Sequence, residues 1–212
     1  MSLFNRAKII DQNFTVFVKS EKFPKPDSNL SLNGVSISDL VSLFESQVFS
    51  RHLDLKARTM KEEGKCFYTI ASSGHEGNAA FGKYFSYKDM AFIHYRSGAF
   101  FIERSKQIPG TTPIYDMALS FTASSEDPIS GGRHKVFGSK LLNIPPQTST
   151  ISSHIPKAVG AALSIDRAKD LQIQERELEN DSIILCSFGD ASINHSSALS
   201  GFNTAQWITH KG

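Results

Sequence analysis

Leu40, Val41, Phe44, Val48, His52 and Leu55 recur at three- and four-residue intervals. That period puts them on one face of an amphipathic helix, the arrangement that ordinarily turns toward a core. Ser38 suits its N-cap, Asp39 its positively polarised first turn and Gly64 its stop, a helix of about seven turns. Upstream, residues 1–35 read as an irregular N-terminal arm, because KSEKFPKPDSNLSLNGVS is rich in turn formers. Downstream, KCFYTIASSG is an apolar run closing in a Ser/Gly turn, HEGNAAFGKYF a helix, and MAFIHY a buried strand leading into another helix. Residues 105–150, dense in Gly, Pro, Ser and Thr, read as loop, a length that is uncommon unless it serves a site. IPKAVGAALSIDRAKDLQIQ predicts a helix with Pro156 in its first turn. DSIILCSF predicts a fully buried strand, GDASIN the turn beyond it, and SSALSGFNTAQWITHKG a last helix.

Strands alternating with helices predict an α/β domain with a mainly parallel sheet. In such domains ligands bind beyond the carboxyl ends of the strands. The GDASIN turn stands at such an end, which makes it the first place to look for chemistry.

Composition narrows the class without choosing a function. The chain has 212 residues, 40% hydrophobic and 21% charged, enough for one sizeable domain. A formal charge of +2 gives no reason to expect nucleic acid or a membrane surface as partner. The two cysteines, Cys66 and Cys186, form no CxxC pair, and their scarcity fits a reducing compartment. No stretch of about 18 apolar residues occurs and the first residues lack a secretory apolar region, so the expectation is a soluble, cytoplasmic protein.

Four segments carry candidate chemistry. In FGDASIN, Asp190 reaches a strand end beside Gly189, where a carboxylate can hold a hard divalent cation or merely cap the following helix. In HYRSG, Arg96 beside Tyr95 offers charge-assisted bonds to a diphosphate, or is a surface arginine. SSGHEGNAAFG offers a ligand-binding turn, although its small residues suit close helix packing and His75 and Glu76 suit structural roles. SGGRHKVFGS presents Arg133, His134 and Lys135 on a glycine-rich loop, suited to an anion or equally to solvent.

Taken in order, RTMKEEGK, SSGHEG, HYRSGAFFIERS, SGGRHKVFGS, TSTISSHIPKAVGAAL and FGDASINHSSALSGFNTA resemble the alpha half of the decarboxylating component of thiamine-diphosphate-dependent 2-oxo acid dehydrogenases. The likeness spans about residues 38–210 and leans to the branched-chain 2-oxoisovalerate type, especially to forms with fused alpha and beta halves. It implies a partial three-layer thiamine-diphosphate-binding fold over residues 36–212 and an enzyme that decarboxylates a 2-oxo acid. It further implies that Tyr95 and Arg96 grip the cofactor diphosphate with His94 at a neighbouring contact, and that Asp190 ligates Mg²⁺. Gly189 and Ala191 would approach the diphosphate through their backbone, Ser149 and Ile151 the aminopyrimidine ring, and Arg133 and His134 the substrate side. Implied partners are a beta half, separate or fused, and a lipoyl acyltransferase that takes the acyl group; the beta half supplies the glutamate of the base relay.

Two departures from the family pattern matter. The metal turn reads Gly-Asp-Ala instead of Gly-Asp-Gly or Gly-Glu-Gly, so a positive φ at Ala191 would be strained. The Asn pair that supplies a second metal ligand is missing: no NN occurs and the sequence ends at Gly212, which implies an alpha half incomplete at its C-terminal end. A competing expectation is a non-catalytic remnant acting as an interaction or regulatory module. A metallophosphatase reading of GDASINH lacks the early Asp-x-His that such a site needs.

Overall fold

The computed structural model describes residues 6–25, 33–67, 72–147 and 149–211. Two compact units divide the chain, residues 1–40 and 41–212. In the first, Arg6–Lys19 forms helix α1, where the arm was expected to be irregular. The turn formers that suggested irregularity lie after it. Ile9, Ile10, Phe14 and Phe17 of α1 are exposed.

Helix α2, Ile37–Glu62, starts two residues earlier than the Ser38 cap allows. Ser36 is the cap instead. Its Oγ accepts the Asp39 N–H at 3.0 Å while Asp39 Oδ2 accepts the Ser36 N–H at 3.3 Å, a reciprocal capping box. Gly64, at φ +73°, ends the helix as expected.

The second unit holds a helix-rich arrangement around a small parallel sheet, compatible with an α/β fold. A 3₁₀ turn, Glu76–Asn78, leads into α3, Ala79–Tyr84. Strand β1, Ala91–Phe92, precedes α4, Gly98–Ser105. The stretch read as loop instead contains helix α5, Pro113–Phe121, and strands β2, Phe137–Ser139, and β3, Ile144–Gln147. Proline at the first helical position, where no N–H bond is lost, explains how α5 forms within turn-rich sequence. Helix α6, Ile155–Asp170, strand β4, Leu185–Cys186, and helix α7, Ser196–Lys211, follow. Residues 68–71 of the KCFYTIASSG run lie outside the described residues.

Among the described residues β1 and β4 pair in parallel, Ala91 with Leu185 and Phe92 with Cys186, while β2 and β3 pair antiparallel. The core gathers Phe100, Phe101 and Ile102 of α4 with Ile93, Met117, Phe121 and Phe137. The strand expected to be fully buried is not: Leu185 and Cys186 are half-buried and Ile183 is 51% exposed. Among the described residues β4 has a strand partner on one side only, which leaves the run incompletely covered by them.

α2 overturns the simple amphipathic expectation. Its buried residues are Ser46, Ser50, Asp54 and Ala57, whereas Leu40, Val41 and Phe44 are exposed. The buried face is polar because it meets polar partners. Ser46 donates to Glu103 of α4 at 2.6 Å, Ser50 to Ser72 at 3.0 Å, and Ser72 donates through its N–H and Oγ to Asp54 at 2.6 and 2.7 Å. Gly98 opens α4 directly against this seam, since a Cβ there would stand 2.7 Å from Ser50 Oγ.

α3 packs on α4 just as closely. A Cβ at Gly82 would lie 2.6 Å from the Phe100 carbonyl oxygen. Gly82→Ala is expected to lower stability by about 1–3 kcal/mol through overpacking, despite alanine's better helix propensity. An unchanged urea midpoint would show that the two helices do not meet at this point.

Candidate functional site

Parallel pairing puts the carboxyl ends of β1 and β4 side by side, so the chain leaving each strand enters the same crevice. From β1 come Ile93, His94, Tyr95 and Arg96; from β4 come Ser187, Phe188, Gly189 and Asp190. The two turns touch: a Cβ on Gly189 would stand 3.5 Å from His94 Nε2. Asn78 ties them further, donating to Ser97 Oγ at 3.3 Å and to Ser187 Oγ at 3.2 Å.

His94 is 4% exposed and sits between two rings. Tyr95 lies 3.9 Å away centroid to centroid, and His75 stacks on it at 4.5 Å with an interplanar angle of 8°. The Arg96 guanidinium lies 5.4 Å from the Tyr95 ring centroid, within cation–π range. The Arg96 N–H donates to His94 Nδ1 at 3.2 Å. Nδ1 is therefore the acceptor and Nε2, on the Gly189 side, carries the proton of the neutral ring. Burial, reinforced by His75, Arg96 and His154, pulls the His94 pKa down to about 3, so the ring is a neutral donor near neutral pH. Burial and Arg96 lower His75 as well.

Asp190 begins a 3₁₀ turn, Asp190–Asn194, in which no side chain caps the N-terminus. Its side chain is exposed and it acts electrostatically on His75. The capping role that a Gly-Asp turn also suggests is thus not taken up. Ala191 is not among the residues with positive φ, and Gly189 is extended at φ −79° and ψ 147°; alanine fits this turn without backbone strain.

The segment between β3 and α6 is stitched to the same place. Ser152, held at φ +60°, donates to the Ser192 carbonyl at 3.1 Å, and His154 Nε2 bonds the Ser187 carbonyl at 2.8 Å. Ser149 and Ile151 ride on this segment, the former half-buried and the latter 47% exposed.

The basic loop divides. Arg133 is exposed, His134 Nε2 lies 3.6 Å from Cys66 Sγ and its ring meets Phe67 edge-on, and Lys135 turns inward to 2% exposure. The loop therefore does not present its cations as one anion-binding set.

His75, Asn78, His154, Asp54 and Lys135 are the neighbours of the crevice that sequence reasoning did not assign to it. HEGN was legible as a turn before a helix, but nothing in its pattern reveals that His75 stacks on a histidine 19 residues later.

For a diphosphate the residues fit: a guanidinium, a neutral imidazole N–H and a glycine turn share one crevice. For a divalent cation Asp190 offers one carboxylate, and among the described residues no group of three His, Cys, Asp or Glu side chains is arranged to hold a metal. Among the described residues, too, no helix is long and apolar enough to cross a membrane.

No protein-family model matches the chain. It is distantly similar to the 2-oxoisovalerate dehydrogenase subunit alpha of Bacillus subtilis (strain 168), 23% identical over 176 residues, which are 81% of this chain and 48% of that protein. The chain thus spans about half the length of that subunit.

The histidines make the site acid-sensitive. His94 titrates at about 3 in the folded chain against an ordinary 6.5, so the unfolded chain binds the proton first and stability falls as pH drops through that window. The expected slope for this group is about 1 kcal/mol per pH unit. His94→Gln should lose less stability between pH 7 and pH 5 than the parent chain in urea melts; equal losses would show that His94 is not held neutral.

Proposed function

We propose that residues 36–212 are the diphosphate-binding, alpha-type part of a thiamine-diphosphate-dependent 2-oxo acid dehydrogenase of the branched-chain type, completed by further polypeptide. The observation that carries the reading is the meeting of the Tyr95–Arg96 turn with the Gly189–Asp190 turn at the ends of two parallel strands. The distant similarity to a subunit alpha of 2-oxoisovalerate dehydrogenase points the same way.

On this reading Arg96 and Tyr95 grip the diphosphate, and His94 donates to it through Nε2–H. Backbone groups of Gly189 and Ala191 approach it closely. Asp190 supplies the first carboxylate to Mg²⁺, and the ligands that complete the roughly six-oxygen shell come from beyond the described residues. Ser149 and Ile151 meet the aminopyrimidine. Arg133 belongs to the substrate side with His134, whose contact with Cys66 fixes its ring. When bound, thiamine diphosphate supplies the electron sink for decarboxylating the 2-oxo acid. The protein's part is to orient the cofactor and keep water from the reacting centre. The acyl group then passes to a lipoyl acyltransferase, and a beta half contributes the remaining wall and the base relay. A cytoplasmic location goes with this role.

Arg96→Ala and Asp190→Ala are each expected to weaken Mg²⁺-dependent binding of thiamine diphosphate by about ten- to a hundredfold, the loss of one charge-assisted contact. Calorimetric titration of the cofactor into the intact protein reads this directly. Unchanged affinity in both variants sinks the assignment and favours a non-catalytic interaction module.

A further inference from the structure

At the amino ends of β1 and β4, the far end of the pair from the crevice, a side chain finishes the ladder. Alternate residues of the β4 segment turn their N–H groups toward β1: Ser187 donates to the Phe92 carbonyl and Leu185 to the Met90 carbonyl, each at 2.9 Å. By that period the next acceptor, for the Ile183 N–H, would be the Lys88 carbonyl. Asn143 has taken it. Its Nδ2 donates to the Lys88 carbonyl at 2.7 Å, and its own carbonyl accepts the Ala91 N–H at 3.0 Å. The Ile183 N–H donates instead to Asp89 Oδ1 at 2.8 Å.

Asp89 is itself held from inside the unit. Its N–H donates to the Ser86 carbonyl at 3.0 Å, closing the turn before β1. Arg104 of α4, fully buried, donates through Nη2 to the Ser86 carbonyl at 2.6 Å and to the Asp89 carbonyl. Its Nε and Nη1 are buried with no hydrogen-bond partner among the described residues, so this turn is where the guanidinium is anchored. Burial lowers the Arg104 pKa to about 10 and the Asp89 charge opposes that shift.

We infer that Asp89 is the register key of the β1–β4 pair and, through that register, a positioning residue for the anion crevice at the other end of the strands. The inference rests on the diphosphate reading of that crevice. The described pair is only two residues long, Ala91 with Leu185 and Phe92 with Cys186, so one further rung is a large share of what fixes it. Main-chain acceptors recur along a strand and would serve a shifted register as well. A side-chain acceptor stands at one place only, and the native register brings Ile183 to it. The same register delivers Gly189 to His94. Arg104 fixes the backbone from which the Asp89 carboxylate projects. Where the ladder is loosened, only the molecules with both turns in place bind an anion, and the apparent affinity falls by that fraction.

Titration of inorganic pyrophosphate into the intact protein, read beside amide hydrogen exchange, tests this. Arg96→Ala must first weaken binding; if it does not, the diphosphate reading itself fails and the inference with it. A failure confined to the Asp89 variants leaves that reading standing. Asp89→Ala should weaken pyrophosphate by about three- to tenfold, the net worth of one hydrogen bond, and should speed exchange at Leu185 and Ser187. Asp89→Asn keeps an acceptor at Oδ1 and should hold the parent's affinity and exchange, although it too removes the charge facing Arg104 and lowers the urea midpoint. The midpoint thus moves in both variants and binding in one, a split that a merely structural residue would not produce. If Asp89→Ala does not fold, Ile183→Pro removes the donor of the same bond, ahead of β4 where proline is tolerated, and should give the same loss. Parent affinity or parent exchange in the folded variant, or a loss in Asp89→Asn equal to that in Asp89→Ala, overturns the inference.

Discussion

The parallel pairing of β1 with β4 places everything chemically distinctive in this chain. The described ladder is short, Ala91 against Leu185 and Phe92 against Cys186, yet it brings together turns separated by almost a hundred residues. A parallel pair cannot be closed by a tight turn, so the chain between the two strands has to cross over before it returns beside β1. Once they meet, His94 lies against Gly189, Asn78 bridges Ser97 and Ser187, and His154 closes on the Ser187 carbonyl. Each of these is a local contact with a modest net worth. Their common dependence on one register makes them specific, because a slip by one residue would turn His94 to the other face of the sheet.

The polar seam of α2 is the second support. A helix that buries Ser46, Ser50 and Asp54 gains little from hydrophobic burial on that face. Its geometry is instead enforced by the cost of leaving buried donors and acceptors unmade, about 1–3 kcal/mol each. Ser46 and Ser42 serve the Glu103 carboxylate, which also pairs with Lys106 at 3.0 Å. Asp54 and Ser50 serve Ser72, whose carbonyl accepts the N–H of His75 at 2.8 Å. The seam therefore sets α4 and the His75 turn relative to one another, and through them both sides of the His75–His94 stack. Burial pushes the Asp54 pKa up while Ser72 holds it down, a balance that survives only while both bonds are made.

Much of this was legible in the sequence where a local signal carries it. The stop of α2 at Gly64, the courses of α6 and α7, and the placing of Tyr95–Arg96 and Gly189–Asp190 at strand ends follow from turn chemistry, period and length. The face that α2 buries was not legible, since period reports where apolar side chains lie and not which face finds polar partners. Leu40, Val41 and Phe44 kept the pattern and stayed exposed, while serines that look like surface residues went inside. Helix α1 was hidden by the turn formers after it, and α5 by the prolines and glycines around it. The burial of Lys135 was hidden for a related reason: a lysine following Gly-Gly-Arg-His suits an anion or solvent equally, whereas Phe121, Phe137 and Asp54, all remote in sequence, are among the groups that act on it.

The charges around the crevice constrain one another in a way that bears on the diphosphate reading. With His94 and His75 held neutral by burial, Arg96 is the fixed cation at the turn and Asp190 the fixed anion opposite it. A diphosphate meeting this pair alone would gain at Arg96 and lose at Asp190, because like charges at close range repel by amounts comparable to the attraction. A divalent cation between Asp190 and the phosphate oxygens changes the sign of that second contribution. Asp190 lends itself to this, since it is exposed and no side chain caps the turn it begins. Capping would have tied the carboxylate to the N–H groups of its own turn. On the diphosphate reading, then, dependence on a cation follows from the placement of one unengaged aspartate, and the neutral imidazole beside it supplies a donor that adds no further charge to balance.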